Sequence, residues 1–150
     1  MKFNPISIER MKYKTDKVSS ALAIFGLIFN ILYFVVIYKK NDNFYYSYYM
    51  GISVVYNLVF MLFVFFCAEE IKTYHMLFSI LLIIIGALQI YRIFYYPAKA
   101  LEAQVLKKNE YESIVVFLSI SALFLIFAGI VSIIKIVILK RYIKKEKQAS

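Results

Sequence analysis

Hydrophobic positions in this chain are grouped into four long runs separated by short polar connections. The runs cover residues 18–38, 44–68, 76–96 and 114–139. Because an α-helix rises about 1.5 Å per residue, about 20 apolar residues span the roughly 30 Å hydrocarbon core of a bilayer. The pattern therefore predicts four transmembrane helices, an all-α fold and a single domain over residues 1–150.

The lengths of the connections predict how these helices are arranged. Residues 39–43 and 69–75 form short connections, which force consecutive helices to run antiparallel. The outer loop, 97–113, is longer, and the sequence after Pro97 favours a short helix along the membrane surface. We expect an up-down-up-down four-helix bundle with both termini on one side of the membrane.

Basic residues are distributed unevenly between the two sides of this bundle. Twelve of the 18 Lys and Arg residues lie on the side of the termini, mostly in the tails 1–17 and 140–150, and six lie on the other side. Connections rich in Lys and Arg remain in the cytoplasm during membrane insertion. We therefore predict a multi-pass protein of the cytoplasmic membrane with N- and C-termini in the cytoplasm. The basic residues expected to contact inner lipid headgroups are Arg10, Lys12, Lys135, Lys140 and Arg141.

Tyrosines gather at the predicted outer boundary of the membrane. The chain has 14 tyrosines and no tryptophan. An aromatic ring with a solvated hydroxyl is typical of headgroup depth, so simple anchoring explains this belt. The alternative is a docking surface, because tyrosine is enriched among the anchors of protein interfaces. The residues of this outer rim are Tyr45, Tyr46, Tyr48, Tyr49, Arg92, Tyr95 and Tyr96.

Polar side chains inside the apolar runs are the best candidates for function, since each is costly in hydrocarbon. The sequence predicts an intramembrane polar layer with one member from each run, and these members are Asn30, Asn57, Gln89 and Ser121. The layer acts either as hydrogen-bonded packing between helices or as the lining of a path for a polar solute. Arg92, near the outer end of the third run, is expected to extend to the headgroups, or to pair with Glu112 or with an acid on a partner.

Signatures of catalysis, metal binding and redox chemistry are missing from the sequence. One His and one Cys cannot supply paired haem ligands, an internal disulfide or a cysteine metal cage. Glu69, Glu70 and His75 lie close together in sequence but lack a further metal ligand. We therefore expect no cofactor, no metal and no enzyme activity, with a lipid-modifying membrane enzyme as the alternative. The basic excess forms no stripe, so we expect no nucleic-acid partner.

These features predict a non-enzymatic accessory or scaffold subunit of a larger, transporter-type membrane complex. Its expected partners are membrane lipids and either another membrane protein or further copies of the chain. The alternative is a small oligomeric carrier or channel for a polar solute, with the polar layer along its path. The abundance of Ile, Lys, Asn, Phe and Tyr, which AT-rich codons encode, indicates a bacterial genome.

Overall fold

Four long helices make up nearly all of the chain that the computed structural model describes, which is residues 15–38, 48–102 and 108–149. These ranges contain no strand, and their helices are α1 (Lys17–Tyr38), α2 (Tyr48–Glu70), α3 (Met76–Glu102) and α4 (Lys108–Ala149), with a 3₁₀ turn (Ile71–Thr73) between α2 and α3. All four α-helices contain a segment long and apolar enough to cross a membrane. For these ranges this confirms the predicted all-α fold with four helices long and apolar enough to span a membrane.

Two of the helices extend beyond their apolar runs. α3 continues through Pro97 to Glu102, although the sequence predicted a separate surface helix beginning at Pro97. Proline removes one backbone hydrogen bond, and the Ala-Lys-Ala-Leu stretch that follows it favours helix, so the helix continues. α4 likewise continues to Ala149 through residues predicted as a basic tail. Both helices therefore carry polar turns beyond the apolar span.

α4 packs extensively along both α1 and α3, and small residues bring the backbones together. A Cβ atom on Gly129 of α4 would lie 2.6 Å from the Ser79 carbonyl oxygen of α3. A Cβ atom on Gly86 of α3 would lie 3.1 Å from the Ala122 carbonyl oxygen of α4. The distance at Gly129 leaves no room for a side chain beside the α3 backbone, and the one at Gly86 is tighter than an ordinary van der Waals contact.

Serine hydroxyls hold the same contacts together. The hydroxyl oxygens of Ser79 and Ser132 share a hydrogen bond of 2.7 Å between α3 and α4. The hydroxyl of Ser121 on α4 donates to the Gly26 carbonyl oxygen of α1 at 2.7 Å. We call the residues of these contacts the α4 seam: Gly26, Ser79, Gly86, Ser121, Gly129 and Ser132.

α2 is attached less evenly than the other helices. It packs on α1 and makes only a small contact with α3. Near the 3₁₀ turn it contributes Val64, Cys67 and Ala68 to the main apolar core. Between residues 54 and 63 Asn57 is the only fully buried side chain, and Phe60 is partly buried against the apolar core.

Asp16 ties three elements together at the end of the bundle where the 3₁₀ turn lies. Its carboxylate caps α1 by accepting from the Ser19 backbone N–H at 3.1 Å and from the Ser19 hydroxyl at 2.6 Å. It also accepts from Lys135 Nζ of α4 at 2.6 Å, and the Asp16 backbone N–H donates to the Lys72 carbonyl oxygen at 3.0 Å. Lys135, predicted to contact lipid headgroups, is thus held in an ion pair with a nearly fully buried carboxylate. Burial and the Asp16 carboxylate together raise the pKa of Tyr74, which follows the 3₁₀ turn.

Candidate functional site

Arg92 on α3 carries a buried charge near the end of an apolar span. Its residue is 8% exposed, and it lies two positions before the end of the span Met76–Phe94. A buried charge is strongly destabilising unless hydrogen bonds and opposite charges compensate it. The sequence predicted a side chain that reaches the headgroups or pairs with Glu112. In the structure the guanidinium turns inward to α1 and α2, while Glu112 is exposed.

Three neutral side chains form a hydrogen-bonded chain with this guanidinium. Arg92 Nη2 donates to Asn57 Oδ1 of α2 at 2.6 Å and to the Tyr33 hydroxyl of α1 at 2.9 Å. Asn57 Nδ2 in turn donates to the Tyr38 hydroxyl at 3.3 Å. Both N–H groups of Nη2 therefore have an acceptor, and Asn57 is the residue that links α1, α2 and α3.

Two aromatic rings lie close to the same guanidinium. The Arg92 Cζ atom is 4.7 Å from the ring centroid of Tyr33 and 5.3 Å from that of Tyr56. Both distances are within the range of cation–π attraction, which offsets part of the cost of a desolvated charge. We call Arg92 with Tyr33, Tyr38, Tyr56 and Asn57 the Arg92 cluster.

The second terminal nitrogen of the guanidinium, Nη1, differs from Nη2 in its hydrogen bonding. Arg92 Nη1 is buried and has no hydrogen-bond partner in the part of the chain that the structure describes. Within the same ranges, the ion pairs are Lys72–Glu69 and Lys135–Asp16, and no carboxylate pairs with Arg92. The cluster therefore holds one positive charge, with two N–H donors of Nη1 still able to bind an acceptor.

Two amide side chains lie about one helical turn along α3 and α1 from members of the Arg92 cluster. Gln89 precedes Arg92 by three residues and Asn30 precedes Tyr33 by three residues, so each lies on the same helix face as a member of the cluster. Asp16, at the start of α1, hydrogen-bonds to Lys72, which lies shortly before the start of α3. Sixteen residues after the start of each helix, Tyr33 of α1 contacts Arg92 of α3. The two helices thus run in the same direction, and both amides lie on the same side of the Tyr33–Arg92 contact.

These two amides are buried without partners. Asn30 is 0% and Gln89 1% exposed, and neither the amide nitrogen nor the amide oxygen of either residue makes a hydrogen bond within the described ranges. Buried polar groups in proteins are nearly always paired, so unpaired ones require an explanation. Arg92 Nη1 and the amide nitrogens are thus buried groups that can donate hydrogen bonds, and the amide oxygens can accept them.

The predicted polar layer is divided between two environments. Asn57 belongs to the Arg92 cluster, Asn30 and Gln89 lie one turn from it, and Ser121 belongs to the α4 seam. These four side chains form no hydrogen bonds with one another in the part that is described. The sequence predicted a similar membrane depth for these four residues. Depth alone does not bring side chains into contact, because side chains on different helix faces point to different neighbours.

The predicted rim and headgroup residues are placed only in part. Tyr45, Tyr46, Arg10 and Lys12 lie outside the described residues, as do the side chains of Tyr48, Tyr49, Tyr95 and Tyr96. Lys140 and Arg141 are exposed on α4. The docking surface on the rim therefore stays a prediction.

Sequence reasoning did not single out Tyr33 and Tyr56 as functional residues. Both lie inside apolar runs, where a tyrosine reads as one more large hydrophobic residue. A signal was present, however, in the three-residue spacing of Asn30 with Tyr33 and of Gln89 with Arg92. On each of the two helices, this spacing places two polar groups on the same face. Such a pair is unusual for a helix surrounded by lipid.

Metal ligands are not gathered anywhere in the part of the chain that the structure describes. In those ranges no group of three or more His, Cys, Asp and Glu side chains could hold a metal ion. The groups that the candidate site offers are amides, tyrosine rings and a guanidinium, whose chemistry is hydrogen bonding and cation–π attraction. No protein-family model, curated protein or solved structure matches this chain.

Proposed function

We propose that this chain is a non-enzymatic carrier-type membrane protein that binds a polar solute between α1, α2 and α3. The observation that carries the proposal is the set of buried polar atoms without partners on Asn30, Gln89 and Arg92. An unpaired buried polar group destabilises a protein by about 1–3 kcal/mol. A solute that supplies the missing hydrogen bonds would remove the cost of burying all three side chains.

The competing hypothesis is that the amides hold helices together. Such a role requires each amide to bond to a neighbouring helix, as Ser121 and Ser132 do in the α4 seam. Asn30 and Gln89 make no such bond in the ranges described. This difference favours the solute path, which the sequence offered as the alternative function.

We further propose an up-down-up-down bundle in the cytoplasmic membrane of a bacterial cell, with both termini in the cytoplasm. Lys72 and Lys135 lie beside Asp16 at the end opposite the Arg92 cluster, and the basic tail of α4 follows Lys135. The preference of basic segments for the cytoplasm supports this orientation. It places the Arg92 cluster near the outer leaflet.

The orientation is tested by labelling single cysteines in intact cells. Lys2→Cys and Ser150→Cys, each in a Cys67→Ala background, are expected to react with a membrane-impermeant maleimide only after the cells are permeabilised. Labelling of either position in intact cells would contradict the proposed orientation and would place the Arg92 cluster near the inner leaflet.

Transport is tested in proteoliposomes with small hydroxyl-bearing solutes, both neutral and anionic. Gln89→Leu and Asn30→Leu are expected to reduce uptake about tenfold each, the effect of losing about 1.4 kcal/mol of solute binding. Ser132→Ala is the matched control, because it removes a polar group from the α4 seam and leaves uptake unchanged. Full uptake by both amide variants would contradict the proposed solute site and would support the hypothesis that the amides hold helices together.

A second candidate is the accessory or scaffold subunit of a transporter-type complex. The observation that favours it is the outer face of α2, where Val55, Val59, Leu62 and Phe66 are exposed and the contact with α3 is small. A helix of another protein, or a further copy of the chain, can pack on this face. Mild-detergent purification followed by mass spectrometry tests the idea, since recovery of a monodisperse single-copy protein without a stoichiometric partner would contradict it.

A further inference from the structure

The charge of the Arg92 cluster identifies the class of solute, an inference that rests on the proposed binding of a polar solute at this site. We infer that the solute is a singly charged anion, a carboxylate or a phosphodiester, that also carries a hydroxyl or amide group. Arg92 contributes one positive charge to the site, and within the described ranges no carboxylate forms an ion pair with it. A single negative charge neutralises the site without leaving an excess of either sign.

The geometry of the guanidinium selects how this anion binds. Rings of Tyr33 and Tyr56 lie against it, and both N–H groups of Nη2 are engaged by Tyr33 and Asn57. The edge of the guanidinium at Nη1 has no hydrogen-bond partner among the described residues, so it is the part that can bind the anion. An acidic oxygen that accepts from Nη1 forms a charge-assisted hydrogen bond, roughly twice as strong as a neutral one.

The second group of the solute follows from the two amides. Three helical residues rise about 4.5 Å, which sets the approximate separation along the helix axis between the Arg92 level and the level of Gln89 and Asn30. An amide side chain both donates and accepts, so it matches a hydroxyl or another amide. A purely apolar tail at this depth would leave four buried amide atoms unpaired.

Two sources can supply this chemistry. A small organic acid from solution has the required charge and hydroxyl, and so does the headgroup of an anionic lipid such as phosphatidylglycerol. The site lies near the end of the apolar spans, which brings lipid headgroups close to it. The shared chemistry is one anionic oxygen group with a hydroxyl near it, and the experiment separates the two sources.

The experiment measures the stabilisation of the purified full chain by defined probes in a neutral detergent. Cys67 is the one cysteine and is buried, so a thiol-reactive dye reports unfolding directly. The solution probes are 3-hydroxybutyrate, its neutral amide 3-hydroxybutyramide, and butyrate, which lacks the hydroxyl. The lipid probes are dihexanoyl phosphatidylglycerol and neutral dihexanoylglycerol. A ligand that binds only the folded state stabilises it by RT ln(1 + L/Kd), where L is the ligand concentration, so the melting temperature rises with ligand concentration and the rise gives the Kd.

The expected result is a preference for charge that depends on Arg92. One of the two hydroxyl-bearing anions should bind at least tenfold more tightly than its neutral counterpart, and Arg92→Gln should remove that preference. Arg92→Gln also disturbs the bonds to Asn57 and Tyr33, so Gln89→Leu is the second variant. It leaves those bonds intact and should weaken the anion about tenfold. Lys140→Gln, an exposed site that loses the same charge, should change nothing.

The possible outcomes separate this inference from the proposed function. Equal binding of neutral and anionic hydroxyl compounds, both weakened by Gln89→Leu, overturns the anion and leaves polar-solute binding standing. No stabilisation by any probe, together with no effect of Gln89→Leu on uptake, overturns both. A third outcome is anion binding that is unchanged in Arg92→Gln and Gln89→Leu but lost in Lys140→Gln. This outcome would place the anion at another site and would also overturn the inference.

Discussion

The α4 seam and the Arg92 cluster use polar residues inside the same bundle in opposite ways. In the seam, the hydroxyls of Ser79, Ser121 and Ser132 all have partners at 2.7 Å. Around the cluster, Arg92 Nη1 and the amides of Gln89 and Asn30 have none in the part that is described. The two amides and the three serines are all at most 1% exposed, so burial does not distinguish these groups. What distinguishes them is whether their hydrogen-bonding capacity is used within the chain.

This difference separates packing from function by a physical criterion. A paired hydroxyl stabilises the contact between two helices, and its removal weakens only that contact. An unpaired buried amide destabilises the protein, and such local costs are characteristic of functional sites. Replacing an unpaired amide near the Arg92 cluster by an apolar residue should therefore raise stability, whereas substitutions in the α4 seam should lower it.

Gly129→Ala should produce the largest change in stability. The added methyl group would lie 2.6 Å from the Ser79 carbonyl oxygen, so α3 and α4 must separate. Overpacking of this kind lowers the free energy of unfolding by about 3 kcal/mol. The measurement is SDS-induced unfolding in mixed micelles, followed by reaction of the buried Cys67 with a thiol dye.

Gly26→Ala is the matched control for this prediction. There the nearest atom, at 2.9 Å, is Cδ2 of the Leu125 side chain, which can rotate away. We expect a loss of about 1 kcal/mol, at the lower end for overpacking. Equal losses in both variants would show that the backbone approach at Gly129 does not hold the seam together.

Gln89→Leu should stabilise the protein while it impairs solute uptake. Leucine has a similar size and places no unpaired amide in the bundle, so the free energy of unfolding should rise by about 1.5 kcal/mol. Uptake in proteoliposomes should fall in the same variant. A destabilised Gln89→Leu protein would mean that the amide is paired in the membrane, and the contrast between the two regions would disappear.

Ser132→Ala should give the opposite combination of effects. It removes the hydrogen bond to Ser79 between α3 and α4, and interhelical bonds of this type contribute about 0.6 kcal/mol on average. The free energy of unfolding should fall by about that amount, and uptake should remain at the level of the unaltered chain. A loss of uptake at normal stability would extend the functional region into the α4 seam.

The helices could be predicted from the sequence because hydropathy is a property of local composition. The third run and α3 both begin at residue 76, and the first run and α1 both end at Tyr38. Pro97 was misleading: it is tolerated at the start of a helix, but here α3 continues through it. A proline is compatible with both structures, so local sequence alone does not decide between them.

The candidate site was harder to predict because it depends on helix rotation. Run lengths give the depth of Arg92 and Gln89 but not the neighbour that each one faces. For this reason the sequence places Arg92 on the outer rim and Gln89 in the intramembrane polar layer, although their spacing of three residues puts them on one helix face. The pairing of Asp16 with Lys135, which are 119 positions apart, was likewise not contained in any local pattern.

Tyr56 offers the smallest effect and the most specific test of the Arg92 cluster. Its ring centroid lies 5.3 Å from Arg92 Cζ, and the residue is 50% exposed. A cation–π contact at a partly exposed ring contributes about 0.5 kcal/mol, so Tyr56→Leu should lower the free energy of unfolding by that amount. Tyr56→Phe keeps the ring and should leave stability unchanged.

A double-mutant cycle of Tyr56→Leu with Arg92→Gln isolates the contact between ring and guanidinium. A coupling energy of about 0.5 kcal/mol would establish that Tyr56 covers one face of the charge. With no coupling, that face is open to ligands, and Nη1 is no longer the preferred point of approach. The inference of an edge-on anion would then lose its geometric basis, while the unpaired amides of Asn30 and Gln89 would still distinguish this region from the α4 seam.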